Sequence, residues 1–352
     1  MASASGARDV TLGRCAVLVP GDWHTRTGGY GYDRHIADGL CAAGWQVQRC
    51  DPGDGYPWPQ AGAVAQAAAA VAALPDGLPV IADGLAFGAL PQLAAAHAAR
   101  LRWVALVHHP LAAETGLNAD QQSSLWQQER QALACAWRVV ATSATTARAL
   151  QADYAVPADR LRVVRPGTQP AAWSRGGGAG ADAVSLLCVA TVTARKGHAV
   201  LLQALAGLRE RRWQLHCVGS LAREPHTAVQ LTALAEQLGL ADRVHWHGDV
   251  DAARLAQCYD QADLFVLPSW HEGYGMALAE ALAHGLPVLT STAGAIPETV
   301  PAAAGRLLAP GDVQALRAAL AQAMDEPAQR ALWAAGARAA AAPLPRWPQA
   351  VA

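Results

Sequence analysis

Two carboxylates stand out in a chain that uses charge sparingly. In "SWHEGYGMALAEALAHGLPVL", residues 269–289, Glu272 and Glu280 have seven residues between them. Gly273 and Gly275 follow the first, a run of helix formers carries the second, and Gly-Leu-Pro stops the run. Glycines at a helix start let backbone amides crowd together. Those unpaired N–H groups, with the positive end of the helix dipole, suit a phosphate. Glu272 lies just before that start, and Glu280 lies two turns in, sharing a face with Met276 and His284 by i, i+4 spacing. Carboxylates accept hydrogen bonds from vicinal hydroxyls. The pair therefore suits the two ends of a ligand carrying a diphosphate and the hydroxyls of a sugar or ribose. The plainer reading, an amphipathic helix with one exposed glutamate, leaves the glycine pair unexplained.

Such residues need elements that deliver them to a cleft. "DLFVLPS" is a continuous apolar strand, so "WHEGYG" is a strand-to-helix loop. The second half repeats this rhythm. "VSLLCVATV", "WQLHCVGS", "RVHWHG", "DLFVLPS" and "LPVLTST" read as strands, and "HAVLLQALAGL", "TAVQLTALAEQLGL", "DAARLAQCYDQA" and "DVQALRAALAQAM" as helices. The first half has the same rhythm, with strands at "RCAVLVPG", "QVQRCD", "LPVIADG", "RWVALVHHP", "RVVATS" and "LRVVRPGT". Strands alternating with helices predict parallel sheets covered on both faces. The Gly/Ala-rich "SRGGGAGADA" (174–183) is the boundary between halves. The expected fold class is α/β, with two Rossmann-like domains facing across a cleft. Residues 1–174 form the acceptor side and 183–330 the donor side, and the helical segment 331–352 packs back toward the first domain. Ligands in open parallel sheets sit at the carboxyl ends of strands, so the loops of both halves converge on one cavity.

Bulk properties exclude other classes. The 352 residues are 52% hydrophobic and 16% charged, with formal net charge −1. No clustered Lys/Arg footprint for nucleic acid or an anionic membrane is present. Arg209–Arg212 is a short interrupted run that reads as a solvated helix end. The seven cysteines are scattered, odd in number and without a C-x-x-C pair, which fits a reducing compartment. The first residues lack a signal-peptide pattern and no apolar run reaches the length of a membrane span. A cytoplasmic protein with no nucleic-acid partner and no membrane contact is expected.

"PSWHEGYGMALAEALAHGLPVLTSTAGAIPE" resembles the signature of the family 4 retaining glycosyltransferases (glycosyl transferases group 1), which have the GT-B fold. The resemblance covers the second half closely. It extends more loosely to "TGGYGYDRHIADGLCAAGW", "VHHP" and "ATSATTARAL". It implies that Glu280 binds the donor ribose and that Glu272 touches the donor sugar near the reacting carbon. The same resemblance gives the amides of Tyr274, Gly275 and Met276, beside Gly273, to the diphosphate. Lys196 matches the lysine that neutralises departing phosphate. The family commonly has an arginine five residues before that lysine, where this chain has Thr191; Arg195 is the candidate replacement. Gly219, after "WQLHCV", and Val244, at the head of "RVHWHG", complete the donor-side candidates. In the first half, Gly28 and Gly29 form the loop facing donor phosphate and acceptor. One of His108 and His109, with His109 preferred, corresponds to the family's cleft histidine.

The implied reaction moves a sugar from a UDP- or GDP-linked donor to a hydroxyl of a small molecule or saccharide, with retention and without a metal or other cofactor. In the family's front-face course, leaving phosphate oxygens help deprotonate the acceptor, and Lys196 and the helix dipole handle the charge. A nucleotide-sugar epimerase or hydrolase on the same fold, and a non-catalytic nucleotide-sugar-binding protein, are the alternatives. A dinucleotide dehydrogenase is disfavoured, since neither half has G-x-G-x-x-G with a following acidic ribose contact. Other features read plainly. Asp249-Val250-Asp251 mimics a metal motif, but Asp251 is placed as a helix N-cap. His245 and His247 have the spacing of a zinc pair but no evident third ligand. Twelve Trp against two Phe is unusual, and Trp23, Trp58 or Trp270 could stack on a sugar, although most Trp serve packing.

Overall fold

The computed structural model describes residues 13–177 and 183–352. The first unit runs β1 (Gly13–Leu18), α1 (Gly28–Ala42), β2 (Trp45–Cys50), α2 (Ala61–Ala72), β3 (Pro79–Asp83), α3 (Gly84–Phe87) and α4 (Pro91–His97). It continues through β4 (Arg102–Val107), α5 (Ala119–Ala134), β5 (Arg138–Ala141), α6 (Ala144–Ala152) and β6 (Leu161–Val163). The second runs β7 (Val184–Val189), α7 (His198–Ala206), β8 (Trp213–Val218), α8 (Pro225–Gln237), β9 (Val244–Gly248), α9 (Ala252–Gln261) and β10 (Leu264–Leu267). After it come α10 (Met276–Ala283), β11 (Val288–Ser291), α11 (Ile296–Thr299), β12 (Gly305–Leu308) and α12 (Val313–Asp325). Two helices close the chain, α13 (Pro327–Ala341) and α14 (Trp347–Val351).

Both sheets are parallel, with orders β2-β1-β3-β4-β5-β6 and β12-β11-β10-β7-β8-β9. Their strands are apolar runs because helices cover both faces; all four residues of β10 are buried. The topology is two Rossmann-like domains of GT-B type. The side to which successive strands are added switches between β1 and β3 in the first sheet and between β7 and β10 in the second. Those switch points open the crevices where ligands enter such sheets. The loops after β1, β3, β7 and β10 therefore carry the chemistry.

Part of the glycine-rich stretch at 174–183 lies outside the described residues. Its start is tied to the second unit, where Ser174 donates its amide to the His284 carbonyl (2.8 Å) and Arg175 pairs with Asp260. α13 packs against α10 and the Ala302–Ala304 turn. α14 crosses to α1, where Trp347 stacks on His35 at 4.0 Å and meets Tyr32 edge-on at 5.7 Å. Asp251 caps α9 as expected, accepting the Arg254 amide at 2.8 Å.

Candidate active site

The loops after β7 and β10 are joined backbone to backbone: the Trp270 amide donates to the Arg195 carbonyl at 2.8 Å. That bond brings cations from one loop onto the carboxylate of the other. Lys196 Nζ lies 2.7 Å from Glu272 Oε1, and Ser269 Oγ donates to the same oxygen at 2.7 Å. Arg195 lies 3.8 Å from Glu272 Oε2. Burial pushes the Glu272 carboxyl up. The charges of Lys196 and Arg195 and the bonds from Lys196 and Ser269 override it and hold the group at about 2. Burial pushes the Lys196 ammonium down, against the pull of Glu272.

Two glycines shape the start of α10. Gly275 is its N-cap in a left-handed conformation, φ 86°, which L side chains avoid. Gly273 is packed against the other domain: a Cβ there would stand 1.8 Å from the His108 carbonyl oxygen. Tyr274 is buried and Met276 begins the helix. Glu280 lies in the helix with one oxygen held by the Tyr259 hydroxyl at 3.0 Å. Burial raises its carboxyl, opposed by that bond.

The first domain adds a carboxylate that the sequence did not flag. Glu114 accepts from Arg195 Nε at 2.9 Å and lies 3.4 Å from His109 Nε2. Burial would raise Glu114, but His109 and Arg195 bring it to about 2. Burial lowers His109 despite Glu114. Arg195, the candidate stand-in at the phosphate, also donates to the His271 carbonyl at 2.8 Å. Its guanidinium thus ties the two domains together. Glu114 follows "HHPLAA" closely, which is the one signal that could have found it.

Other sequence-chosen residues fall in different places. Gly219 follows β8, close against the Ala190 carbonyl. Val244 opens β9 opposite Leu215 with its side chain in the hydrophobic core, so it is not delivered to a strand's carboxyl end. Gly28 and Gly29 begin α1. A Cβ on Gly28 would meet Met276 Sδ at 3.8 Å, and one on Gly29 would meet the His108 ring at 3.3 Å. The His245/His247 pair does gain a third imidazole: His216 stacks on both, with its Nδ1 3.0 Å from His247 Nε2.

The expectation that no metal or other cofactor is involved is overturned by a cluster beneath Gly29. Asp33, Asp83 and His108 each offer a ligand atom, all within 4.8 Å of one another. His108 Nε2 lies 3.2 Å from Asp33 Oδ1 and 3.4 Å from Asp83 Oδ2. Burial pushes the His108 imidazole down, but Asp33 and Asp83 override it and hold it at about 10. Burial and the Asp83 charge lift Asp33 to about 7, opposed by His108. The three residues come from α1, the end of β3 and the loop after β4, so no spacing motif announces them.

Comparison with known proteins agrees with this architecture. The family described as "Glycosyl transferases group 1" matches residues 173–340, and "Glycosyltransferase Family 4" matches residues 80–171. A D-inositol 3-phosphate glycosyltransferase of Xylanimonas cellulosilytica is 34% identical over 227 residues, 60% of this chain and 54% of that protein. An MMP alpha-(1->4)-mannosyltransferase of Mycolicibacterium hassiacum is 30% identical over 242 residues, 64% of this chain and 57% of that one. The chain thus spans little more than half the length of the curated relatives it matches. Among solved structures, a sucrose-phosphate synthase from Thermosynechococcus elongatus superposes with TM-score 0.81 at 22% identity, covering 96% of both chains. Anabaena HepE in complex with UDP and glucose gives 0.75 at 20%, again covering 96% of both. No helix among the described residues is long and apolar enough to cross a membrane. The chain belongs to the group 1, family 4 glycosyltransferases.

Proposed function

We propose that the chain transfers a glycosyl unit from a nucleoside diphosphate sugar, UDP- or GDP-linked, to an acceptor hydroxyl with retention at the anomeric carbon. The observation that carries this reading is the contact of Lys196 with Glu272 at the glycine-capped start of α10. The donor diphosphate lies against the amides of Tyr274, Gly275 and Met276, where the helix dipole favours negative charge. Lys196 neutralises the charge that builds as the nucleoside diphosphate leaves. Glu280 accepts from the ribose hydroxyls, its second oxygen steadied by Tyr259. The ionised Glu272, engaged by Lys196 and Ser269, orients the sugar rather than donating a proton. A double displacement would need a free carboxylate beneath the sugar as nucleophile; Glu272 is not free, which favours front-face departure. His109 and Glu114 face the acceptor from the first domain, bounded by residues 13–174, opposite a donor domain from 183 to 330. The named activities of the two curated relatives, both glycosyl transfers, support the class.

The test is turnover of a panel of UDP- and GDP-sugars with polyol and saccharide acceptors, following the anomeric proton of the product by NMR. A product with the donor's anomeric configuration is expected. Inverted product, or hydrolysis alone with every acceptor, overturns the reading.

A further inference from the structure

We propose that Asp33, Asp83 and His108 form a binding site for one borderline divalent cation, of the Mn²⁺ or Zn²⁺ kind, on the first domain's side of the cleft. Both distances from His108 to the aspartates suit ligands that share one ion. Bonds of about 2.0–2.2 Å place neighbouring ligand atoms roughly 3.0–3.4 Å apart, depending on whether the site is octahedral or tetrahedral. His108 Nε2 lies 3.2 Å from Asp33 Oδ1 and 3.4 Å from Asp83 Oδ2. A second observation points the same way. Asp33 is 2% exposed, and its other oxygen, Oδ2, is buried with no hydrogen-bond partner. A carboxylate oxygen left so inside a protein is costly. A cation held by both oxygens of Asp33 satisfies it.

The charge and the donor set select the class of ion. An ion bound here displaces the proton that the two aspartates hold on His108; two aspartates and the imidazole so freed balance a charge of +2, and one nitrogen with carboxylate oxygens suits first-row divalent metals better than Ca²⁺ or Mg²⁺. Asp83 is already oriented for the task, since its Oδ1 accepts the Leu85 amide at 2.9 Å and leaves Oδ2 to face His108. The His108 side chain, 21% exposed against 1% and 4% for the aspartates, is the accessible edge through which an ion enters. Bound there, the ion joins α1, β3 and the loop after β4 directly beneath Gly29, and so fixes the floor on which the acceptor side is built. The three ligands belong to the first domain, whereas Lys196 and the start of α10 belong to the second, and binding is read without any donor. Its failure therefore leaves the transferase reading standing, and the reverse holds as well.

The experiment strips the full-length chain with a chelator and titrates it with Mn²⁺, followed by EPR of free Mn²⁺, and with Zn²⁺, followed by calorimetry. One ion per chain and a raised Tm are expected. Asp33→Asn keeps the shape and removes the charge. It should weaken binding by more than the roughly 10–100-fold typical of losing an outer partner of a metal ligand. The His245→Gln/His247→Gln double variant, which dismantles the His216 stack, should bind as the wild type does. Anomalous diffraction from wild-type crystals grown with Mn²⁺ needs no variant and should place a peak among the three side chains. No binding at millimolar metal, unchanged binding in Asp33→Asn, loss of binding in the histidine double variant, or a peak elsewhere overturns the proposal. In each case His108 is then a hydrogen-bonded histidine between two aspartates and nothing more.

Discussion

Lys196 Nζ and Glu272 Oε1 lie 2.7 Å apart although 76 residues separate them in the chain. They meet because β7 and β10 are parallel neighbours at the point where the strand order of the second sheet switches sides. Loops that leave two adjacent parallel strands toward opposite faces of the sheet open a crevice between them. The pair is thus a product of topology, and its electrostatics follow from burial in a narrow crevice.

Lys196→Ala should lower kcat by about 10²–10³-fold, the range for removing one stabilising donor at a developing oxyanion. Donor KM should change much less. The measurement is steady-state kinetics with the best donor from the panel. Turnover at the wild-type rate would remove Lys196 from the reaction.

Glu272 also predicts a pH dependence of stability. Its folded value of about 2 lies below the ordinary 4.5. The fold therefore favours the ionised form, so this contribution is complete above pH 4.5 and is lost as pH falls toward 2. Denaturant titrations across that window should give a shallower loss of stability for Glu272→Gln than for the wild type. Parallel profiles would mean that Glu272 is not held ionised by Lys196.

Glu280 should divide its effect differently. Glu280→Ala should raise donor KM about 10–100-fold, the equivalent of roughly 1.5–3 kcal/mol for hydrogen bonds to a charged group, with kcat little changed. Tyr259→Phe removes only the bond that steadies the carboxylate, so it should fall between the two. A drop in kcat for Glu280→Ala at saturating donor would show that it acts on the transition state instead.

The legible parts of this site were local in sequence. Apolar strands such as "DLFVLPS", and the glycines that open α10, carry their meaning within a few residues, and Glu272 and Glu280 were singled out from that same stretch. Asp33, Asp83 and Glu114 did not, because each looks ordinary beside its sequence neighbours. Asp33 is one charge on a helix, and Asp83 caps the single turn of α3. Only the order β1-β3-β4 brings both to His108. The same reason hid the His216 stack, since the register that sets His216 beside His245 belongs to the sheet and not to the spacing of His245 and His247. Val244 failed in the opposite direction. A residue at the head of a strand starts on the side of the sheet away from the ligand, and this one fills the core.

Glu129 gives a prediction of opposite sign on the alkaline side. It is 1% exposed, accepts the Leu111 amide, and leaves Oε1 without a partner. Burial lifts its carboxyl from 4.5 to about 8, opposed by the Leu111 amide and the nearby Tyr154 hydroxyl. Between those values the folded chain keeps a proton that the unfolded chain has released, so stability falls as pH rises from 4.5 and levels above 8. Glu129→Gln keeps an acceptor for Leu111 and removes the titration. The slope between pH 5 and pH 8 should flatten in urea melts of the variant. An unchanged slope would assign the dependence to other groups.

Glu298 and Gly273 lie at the same seam between the two domains, and closure there is expected to depend on both. Glu298, in α11 of the second domain, accepts the Ala144 amide at 3.0 Å and also the amide and hydroxyl of Thr145. A carboxylate of one domain thereby caps helix α6 of the other, alongside its own cap Ser143. Gly273 lies against the His108 carbonyl, and its own carbonyl faces Thr142 and Thr146 at 3.5 Å. Glu298→Ala should cost about 1–2 kcal/mol through the lost cap and shift the free protein toward an opened arrangement. Gly273→Ala should do the same by sterics alone, because a Cβ 1.8 Å from a carbonyl oxygen cannot be accommodated without separating the surfaces. Small-angle scattering should give a larger radius of gyration for both variants, with donor KM raised in proportion. If both variants scatter like the wild type while losing only stability, the seam holds structure together and does not govern closure.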